Sequence, residues 1–316
     1  MSLKIGVVMD PIGSINFKKD STLAMLLEAQ SRGWQLYYME QPDLYLKHDV
    51  AYAQMKSLKV YADADKWYQL ETAEEQRLET LDAILMRKDP PFDMNYIYST
   101  YILEKAEENG TLIINKAQSL RDANEKLFTS NFPQCMPATL VSSKTDQIKA
   151  FYKEHKDIIL KPLDAMGGAS VFRIKEGDSN LSVIIETLTE HETKPAMVQR
   201  FIPEITQGDK RILLINGEAV PYALARIPAK GETRANLAAG GEGVGVELTD
   251  RDRWICEQVA PLLKEKGLVF VGIDVIGDYL TEVNVTSPTC IRELDKQYNI
   301  NISALLMDWI AEQRLH

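Results

Sequence analysis

The chain has 316 residues, of which 45% are hydrophobic and 26% are charged. This length suggests about two domains, and this composition is typical of a globular protein with a large apolar core, so a mainly disordered chain is excluded. The 36 Lys and Arg residues against 46 Asp and Glu residues give a net charge of −10, which excludes a general attraction to nucleic acid or to anionic membranes.

Cysteine usage and hydropathy favour a cytoplasmic protein. The three cysteines, Cys135, Cys256 and Cys290, lie far apart in the sequence, which argues against a disulfide framework and against a Cys-x-x-Cys metal site. The first residues do not form a secretory signal, and no apolar run reaches the ~18 residues of a membrane span. We therefore expect a cytoplasmic location and no membrane partner.

The first third of the chain alternates short apolar runs with amphipathic stretches. Strands are predicted over 5–9, 36–39, 84–86 and 111–115, and helices over 21–32 and 97–109. This alternation is typical of a mostly parallel α/β sheet that is covered on both faces. Residues 49–79 are polar and weakly periodic, so their pairing stays open. Ser119 and Asp122 have the spacing of a capping box, which predicts the start of a helix that carries Lys126.

Beyond Pro133 and Pro137 the pattern changes to α+β with antiparallel hairpins. The Asn216-Gly217 pair is the strongest short hairpin signal, and Thr249 with Asp252 predicts the capped start of a helix. The remaining predicted elements are strands over 158–162, 171–175, 211–215 and 218–227, two further strands after Gly267, and a last helix from about Ser303.

Common catalytic and nucleotide motifs are missing. The sequence has no GxxxxGK[ST] loop and no GxGxxG fingerprint. It also lacks a GxSxG motif, and its four histidines are scattered without the spacing of metal ligands. These absences exclude several common enzyme classes.

A candidate metal site lies on the predicted strand pair that follows Gly267. Asp274 stands inside an apolar strand, and Glu282 and Asn284 are two residues apart on the next one, so they share a face. With a three-residue turn between the strands, Asp274 would face Glu282, whereas a two-residue turn would place it on the other face. Three such oxygen ligands suit Mg²⁺. The alternative is a pair of solvated polar positions on an edge hairpin.

Four cations and a glycine-rich segment complete the candidate site. Lys126, Lys161, Arg211 and Arg226 could gather around a triphosphate, although most such residues lie on ordinary exposed faces. Residues 228–247 include Lys230 and Arg234 and lack apolar periodicity. A segment of this kind is either a functional lid that excludes water or a linker.

These residues follow one another in the order of an ATP-grasp ligase, and longer blocks make the resemblance narrower. The chain resembles the bacterial glutathione synthetase family over nearly its whole length. The blocks that carry the resemblance are MRKDPPFD at 86–93, NKAQSLRDANEKLF at 115–128, ILKPLDAMGGAS at 159–170, GETRANLAAGG at 231–241 and NVTSPTCIRE at 284–293. Two positions of the lid depart from the family pattern, namely Glu242 in place of a basic residue and Ala235 in place of a glycine.

The resemblance implies an ATP-grasp fold with an N-terminal α/β domain, 1–122, a small α+β subdomain, 123–196, and a large α+β subdomain, 197–316. It also implies the ligation of γ-glutamylcysteine and glycine through an acyl phosphate, with ATP as cosubstrate, Mg²⁺ or Mn²⁺ as metal, and a homotetrameric assembly. The implied metal ligands are Asp274, Glu282 and Asn284, and the implied catalytic residues are Arg211 and Arg226. The implied nucleotide contacts are Lys126, Lys161, Gly167, Gly168, Gln199, Arg200, Phe201, Ile202 and Asp209, and the implied substrate contacts are Arg87, Arg234, Ser287 and Arg292.

Two other functions stay open at this point. One is another ATP-grasp carboxylate–amine ligase that acts on a different acid, against which the blocks at 86–93 and 284–293 argue. The other is a regulator that binds ATP without turnover, which the filled metal and phosphate positions argue against.

Overall fold

The computed structural model describes residues 2–229 and 242–314. The N-terminal part forms a seven-stranded sheet, in which strands β1, β2, β6 and β7 are parallel neighbours and β3, β4 and β5 pair antiparallel. The sequence predicted a mostly parallel sheet, but only half of the strand pairings in the observed sheet are parallel. The strands are β1 Lys4–Val8, β2 Gln35–Met39, β3 Leu44–Lys47, β4 Val50–Val60, β5 Tyr68–Arg77, β6 Ala83–Met86 and β7 Leu112–Ile114.

The segment whose pairing the sequence left open forms the long antiparallel pair β4–β5. β4 alternates buried and more exposed side chains over most of its length, because one of its faces packs on the core. β5 is exposed at most positions, which explains why its sequence carries little apolar periodicity.

Three helices, α1 Ser21–Ser31, α2 Met94–Glu108 and α3 Ala117–Asp122, belong to this part of the chain. Asp20 caps α1 by accepting a hydrogen bond from the backbone N–H of Leu23. The predicted helix carrying Lys126 is wrong. Ser119 lies inside α3, where its hydroxyl donates to the carbonyl of Lys266 instead of capping a helix, and Lys126 directly precedes a short 3-10 helix over residues 127–131.

The second sheet has four strands in the order β10-β9-β11-β8, all antiparallel. It comprises β8 Thr139–Ser142, β9 Ile158–Pro162, β10 Phe172–Ile174 and β11 Ala196–Arg200, with helices α4 Thr145–His155 and α5 Leu181–Leu188. Because β11 pairs with both β8 and β9, this sheet extends four residues past the expected subdomain end at residue 196.

The third sheet is a five-stranded antiparallel sheet in the order β14-β13-β12-β15-β16. Asn216 and Gly217 join β12 to β13 with φ values of 48° and 74°, which is the left-handed backbone that the predicted hairpin turn requires. The elements are β12 Asp209–Ile215, β13 Glu218–Ile227, β14 Glu242–Glu247, β15 Phe270–Ile276, β16 Tyr279–Asn284 and helix α6 Asp250–Glu265.

The last two helices, α7 Ile291–Tyr298 and α8 Ile302–Arg314, return the chain to the N-terminal sheet. α8 was predicted and α7 was not. Arg32 at the end of α1 contacts Asp308 of α8 at 2.7 Å, and the two helices share one apolar core. Among the residues that the structure describes, no helix is both long and apolar enough to span a membrane.

A single side chain ties the N-terminal sheet to β15 and β16. The side-chain Nδ2 of Asn115 donates to the carbonyl oxygens of Phe270 and Val285 at 2.8 and 2.7 Å. Its side-chain Oδ1 accepts a hydrogen bond from the backbone N–H of Phe270 at 2.8 Å. The strands that carry Asp274 and Glu282 are thereby fixed relative to the N-terminal part.

The capping box of α6 yields a stability prediction. Thr249 and Asp252 exchange side-chain to backbone hydrogen bonds at the helix start. Thr249→Ala should destabilise the protein by about 1 kcal/mol and lower Tm by about 2–4 °C, because one helical amide loses its acceptor. Calorimetry checks this, with Thr249→Ser as a control that keeps the hydroxyl. Equal Tm values for the two variants would contradict the prediction.

Candidate active site

One cavity of about 360 Å³ lies between the four-stranded and the five-stranded sheets. Strands from both sheets line it, together with the glycine turn after β9 and the loop 286–290 after β16. Most of the predicted site residues reach it. These are Lys126, Lys161, Gly167, Gly168, Gln199, Arg200, Phe201, Ile202, Asp209, Arg211, Arg226, Glu282, Asn284 and Ser287.

One end of the cavity is an apolar slot between the two sheets. Phe201 and Ile205 pack there with Ile159 of β9 and Ile276 of β15. Residues 199–202, which the family resemblance implies as nucleotide contacts and which we call the hinge, form its edge. The slot suits a flat aromatic ring, because it is apolar and backbone groups border it. The sequence indicated the hinge only. Ile159 and Ile276 look like ordinary strand residues until two sheets bring them together.

The predicted pairing of Asp274 with Glu282 is present, but not for the predicted reason. The turn is of the two-residue kind, since Ile276 pairs with Tyr279. A bulge at Thr281 inserts one extra residue into β16, so that Asp274 lies opposite Glu282 and Gly272 opposite Asn284. The Thr281 hydroxyl donates to the Asp274 carbonyl at 3.1 Å and fixes the bulge.

Asp274 holds two arginines in the sheet. Its directly paired neighbour on β12 is Arg211, whose Nε and Nη2 donate to the carboxylate at 2.5 and 3.0 Å. Arg226 reaches over from β13, with its Nη2 at 2.8 Å from Asp274 Oδ2. Burial by itself favours the neutral acid, but the two guanidinium groups outweigh it and hold the pKa of Asp274 well below its ordinary value.

Two buried lysines face Glu282. The Nζ atoms of Lys126 and Lys161 lie 3.7 and 3.9 Å from Glu282 Oε1, and the two lysines are only 2% and 6% exposed. Burial lowers the pKa of Lys161, and its attraction to Glu282 offsets this only in part. For Lys126, the charges of Glu282 and Glu125 outweigh burial and raise the pKa.

Glu125 is a site residue that the sequence analysis missed. It lines the cavity and binds the ammonium group of Lys126. Burial, followed by repulsion from Glu282, raises its pKa. In the sequence, Glu125 stands next to Lys126, which we expected to bind phosphate. An acid is not expected at a phosphate site, and its role becomes visible only when the structure places Lys126 between Glu125 and Glu282.

The glycine turn lies above the lysines. Gly167 and Gly168 have φ values of 64° and 79°, a region that other residues rarely adopt. The Lys126 ammonium donates to the carbonyl of Ala165 at 2.7 Å and so links the turn to the cavity floor. Backbone amides of such a turn can approach a phosphate group closely.

Asp209 lies at the base of the hinge and binds Arg226, its cross-strand partner. Its Oδ1 is buried without a hydrogen-bond partner among the described residues. Burial is the largest cause that raises its pKa, to about 7, and the charge of Arg226 opposes this shift.

Three predicted substrate residues are not placed in the cavity wall. Arg87 and Arg292 are absent from its lining, because their guanidinium groups bind other parts of the protein: Arg87 contacts Thr22 and Pro288, and Arg292 donates to the carbonyl of Phe17. Arg234, Lys230, Ala235 and most of the expected lid 228–247 lie outside the described residues. Glu242 starts β14 at an exposed position.

Of the expected metal ligands, Glu282 and Asn284 line the cavity, whereas Asp274, which pairs opposite Glu282, is absent from the cavity lining and binds Arg211 and Arg226. Asn284 lies two positions beyond Glu282, and its buried amide nitrogen has no hydrogen-bond partner among the described residues. Within residues 2–229 and 242–314, no group of three or more His, Cys, Asp or Glu side chains is arranged to hold a metal ion. The three expected ligands include only two carboxylates, because the third is the amide of Asn284. Carboxylate and amide oxygens are nonetheless ligands that Mg²⁺ accepts.

Comparison with protein families gives two matches that together cover most of the chain. Residues 3–121 match the N-terminal domain of prokaryotic glutathione synthetase, and residues 125–299 match the ATP-grasp domain of the same family. Glutathione synthetase from Pseudomonas aeruginosa is 62% identical over 313 residues, which cover 99% of both chains. The enzyme of that name from Vibrio vulnificus is 62% identical over 315 residues, with 100% of this chain and 99% of the relative covered.

Solved structures share the fold at low sequence identity. D-cycloserine synthetase DcsG superposes with a TM-score of 0.68 at 13% identity and covers 98% of this chain and 99% of its own. The ATP-grasp ligase PsnB, solved with a minimal precursor, Mg and ADP, gives a TM-score of 0.64 at 16% identity, with coverage of 99% and 98%. The fold is therefore ATP-grasp, as expected from the sequence.

The raised pKa of Asp209 predicts a pH dependence of stability. The native carboxyl keeps its proton up to about pH 7, whereas its ordinary pKa is 3.8. Between these values the native state binds more protons than the unfolded state, so this group lowers stability as pH rises through the window. Asp209→Asn removes the effect, so its Tm should rise relative to wild type by about 2 °C or more between pH 5 and pH 7.5.

Thermal unfolding of both proteins at the two pH values measures this difference. The exposed Asp65→Asn controls for the loss of a carboxylate as such. A Tm difference between Asp209→Asn and wild type that does not change with pH would contradict the prediction.

Proposed function

Because this chain belongs to the prokaryotic glutathione synthetase family, we infer that it joins γ-glutamylcysteine to glycine with the consumption of ATP. The product is glutathione, and the enzyme is an ATP-dependent ligase that forms a C–N bond. The observation that carries this function in the structure is the cavity itself, which combines an apolar slot, two buried lysines and two fixed arginines along one path.

This reaction requires cations in the cavity, and it does not require a nucleophilic side chain of the protein. A carboxylate is a poor acyl donor, because an oxide is a poor leaving group. Transfer of the γ-phosphoryl group of ATP to the carboxylate gives an acyl phosphate, and the amine of glycine then attacks the carbonyl carbon. The tetrahedral intermediate expels phosphate. The protein therefore needs to align the reactants and stabilise negative charge.

We assign the stabilisation of this charge to Arg211 and Arg226. Asp274 holds both guanidinium groups in place before any ligand binds. Charges that are fixed in advance do not have to reorganise during the reaction, which is the basis of electrostatic catalysis. The two arginines would contact the phosphoryl group in transfer and the oxyanion of the tetrahedral intermediate.

The nucleotide would lie along the cavity from the apolar slot to the lysines. We propose that the adenine enters the slot beside the hinge 199–202 and that Asp209 binds the ribose through its unpartnered Oδ1. Lys126 and Lys161 would bind the phosphates together with the Gly167-Gly168 turn. Ser287, in the loop after β16, would contact a substrate carboxylate.

We propose that Asp274, Glu282 and Asn284 hold a Mg²⁺ or Mn²⁺ ion. Their facing positions and the unpartnered amide of Asn284 support this assignment. When bound, the ion supplies positive charge against the phosphate oxygens of the nucleotide. Asp274 has about one acceptor site left for it, since a carboxylate offers about four and the arginines use three.

Assembly and location remain proposals by family resemblance. We propose a homotetramer, which light scattering of the purified protein tests. We also propose a cytoplasmic location, with support from the three cysteines, all of which are buried and unpaired as thiols.

Release of ADP from ATP and Mg²⁺ tests the function directly. Wild-type protein should release ADP with γ-glutamylcysteine only when glycine is also present, and glutathione should form in equal amount. Turnover with other acids alone would indicate a different ligase, and nucleotide binding without turnover would indicate a regulator.

Glu282→Gln tests the phosphate end of the cavity. The substitution keeps the shape but removes the charge that faces the two lysines. It should lower kcat/KM for ADP release at least about 100-fold, because a neutral amide is a weaker ligand than a carboxylate for the proposed divalent ion, while Tm stays within a few degrees. Glu218→Gln, at an exposed position of β13, is the control. Near-normal turnover of Glu282→Gln would contradict the proposed role of Glu282 as a metal ligand.

Removal of divalent ions tests the metal proposal. EDTA in excess should reduce ADP release to the background rate, and added Mg²⁺ or Mn²⁺ should restore it, since the oxygen ligands bind hard cations reversibly. Turnover that persists in EDTA would contradict the metal site, without bearing on the ligase reaction itself.

A further inference from the structure

Arg87 is a buried cation whose interactions lie behind the cavity wall. It follows β6 and is 5% exposed. Its Nε donates to the hydroxyl of Thr22 on α1 at 3.0 Å, and its Nη2 donates to the carbonyl of Pro288 at 2.9 Å. Both acceptors are neutral, and Nη1 is buried without a partner among the described residues. Burial of such a charge is unfavourable and lowers the pKa of Arg87.

The acceptor Pro288 belongs to the loop 286–290, and all five residues of this loop line the cavity. The first turn of α1 holds the loop at a second point, where the hydroxyl of Ser21 accepts a hydrogen bond from the amide of Ile291 at 3.2 Å. The N-terminal part therefore forms hydrogen bonds with Pro288 in the loop and with Ile291 directly after it.

The loop also lies next to Arg211, to which we assigned a catalytic role. Gly272 of β15 lies beneath both Pro288 and Arg211: a Cβ atom at this position would come within 2.9 Å of Pro288 Cβ and of Arg211 Cδ. The two side chains therefore share the space above Gly272, and a shift of Pro288 changes the space open to Arg211. This connection leads from Thr22 through Arg87 and Pro288 to the phosphoryl-transfer site.

We propose that Arg87 is a positioning residue that holds the loop 286–290 against α1 and thereby sets the place of Arg211, rather than a residue that binds substrate. Arginine suits the task because its planar fork donates in two directions at once. A lysine has the same charge but cannot hold Thr22 and Pro288 in the same geometry. This proposal rests on the proposed function, because its kinetic effect is measured in the ligase reaction.

The test compares Arg87→Lys with Thr22→Val, which removes the acceptor on α1 and leaves the Pro288 contact. We expect Arg87→Lys to lower kcat about 10- to 100-fold, because misplacement of a catalytic group by a fraction of an ångström has effects of this size. Thr22→Val should lower kcat in the same direction by a smaller factor. The KM for ATP should stay within about two-fold in both variants, because the proposed nucleotide contacts lie outside the loop. The KM values for γ-glutamylcysteine and glycine should rise less than about 10-fold, because Ser287 of the loop shifts but no substrate contact is removed.

The double variant separates positioning from general destabilisation. If Thr22 acts only through Arg87, the double variant should have the kcat of Arg87→Lys alone, whereas independent effects would multiply. Arg121→Lys is the matched control, since Arg121 is also a partly buried arginine of the N-terminal part and binds Thr100 and Glu104 away from the cavity. Its kcat should be unchanged.

Two kinetic results would overturn the proposal. One is a rise of the KM for γ-glutamylcysteine or glycine of about 10-fold or more in Arg87→Lys with an unaffected Thr22→Val, which would indicate direct substrate binding. The other is wild-type kcat in Arg87→Lys.

Hydrogen exchange provides a readout that does not depend on turnover. The backbone amides of residues 286, 287 and 289–291 should exchange faster in both variants, and not in Arg121→Lys, when the proteins carry no ligand. Unchanged exchange would overturn the proposal even if the wild-type protein did not ligate these substrates. Absence of wild-type ligation would count against the proposed function only.

Discussion

The carboxylate of Asp274, held between two arginines inside a β-sheet, is the interaction on which the site depends. Asp274 is 2% exposed, and a charge at such a position is stable only with partners. Arg211 lies directly opposite on the neighbouring strand, and Arg226 reaches it across that strand. The sheet register therefore fixes both guanidinium groups, so that the cavity holds its positive charge in place without help from a ligand.

The lysines depend on acids in the same way. Without a polyphosphate, Glu282 and Glu125 compensate the ammonium groups of Lys126 and Lys161. Under the proposed function, an incoming nucleotide would compete with these carboxylates for the same cations. The cavity can thus keep several like charges together in a protein whose net charge is −10, because these two lysines and the two arginines each have a carboxylate nearby.

Sequence patterns predicted the parts of the structure that are determined locally. The Asn216-Gly217 turn and the Thr249 cap were found because their signals span four residues or fewer. The helix expected to carry Lys126 was wrong because the Ser119 hydroxyl binds a carbonyl 147 residues away. The apolar slot and the Asp274 network were not visible either, since they depend on which strands become neighbours. Most of the residues that the family resemblance implied nonetheless line one cavity, because such a resemblance carries long-range information that local patterns lack.

The bulge at Thr281 has a consequence for the comparison of related chains. Turn length and strand irregularity compensate each other here: a hairpin with one more residue in its turn and no extra residue in its second strand would present the same pair of carboxylates. A gap in the turn that is matched by an insertion in the second strand, both between residues 277 and 281, therefore does not by itself remove the facing pair of acids. What must be preserved is the number of residues between the two acids, and not where along the hairpin the extra one is accommodated.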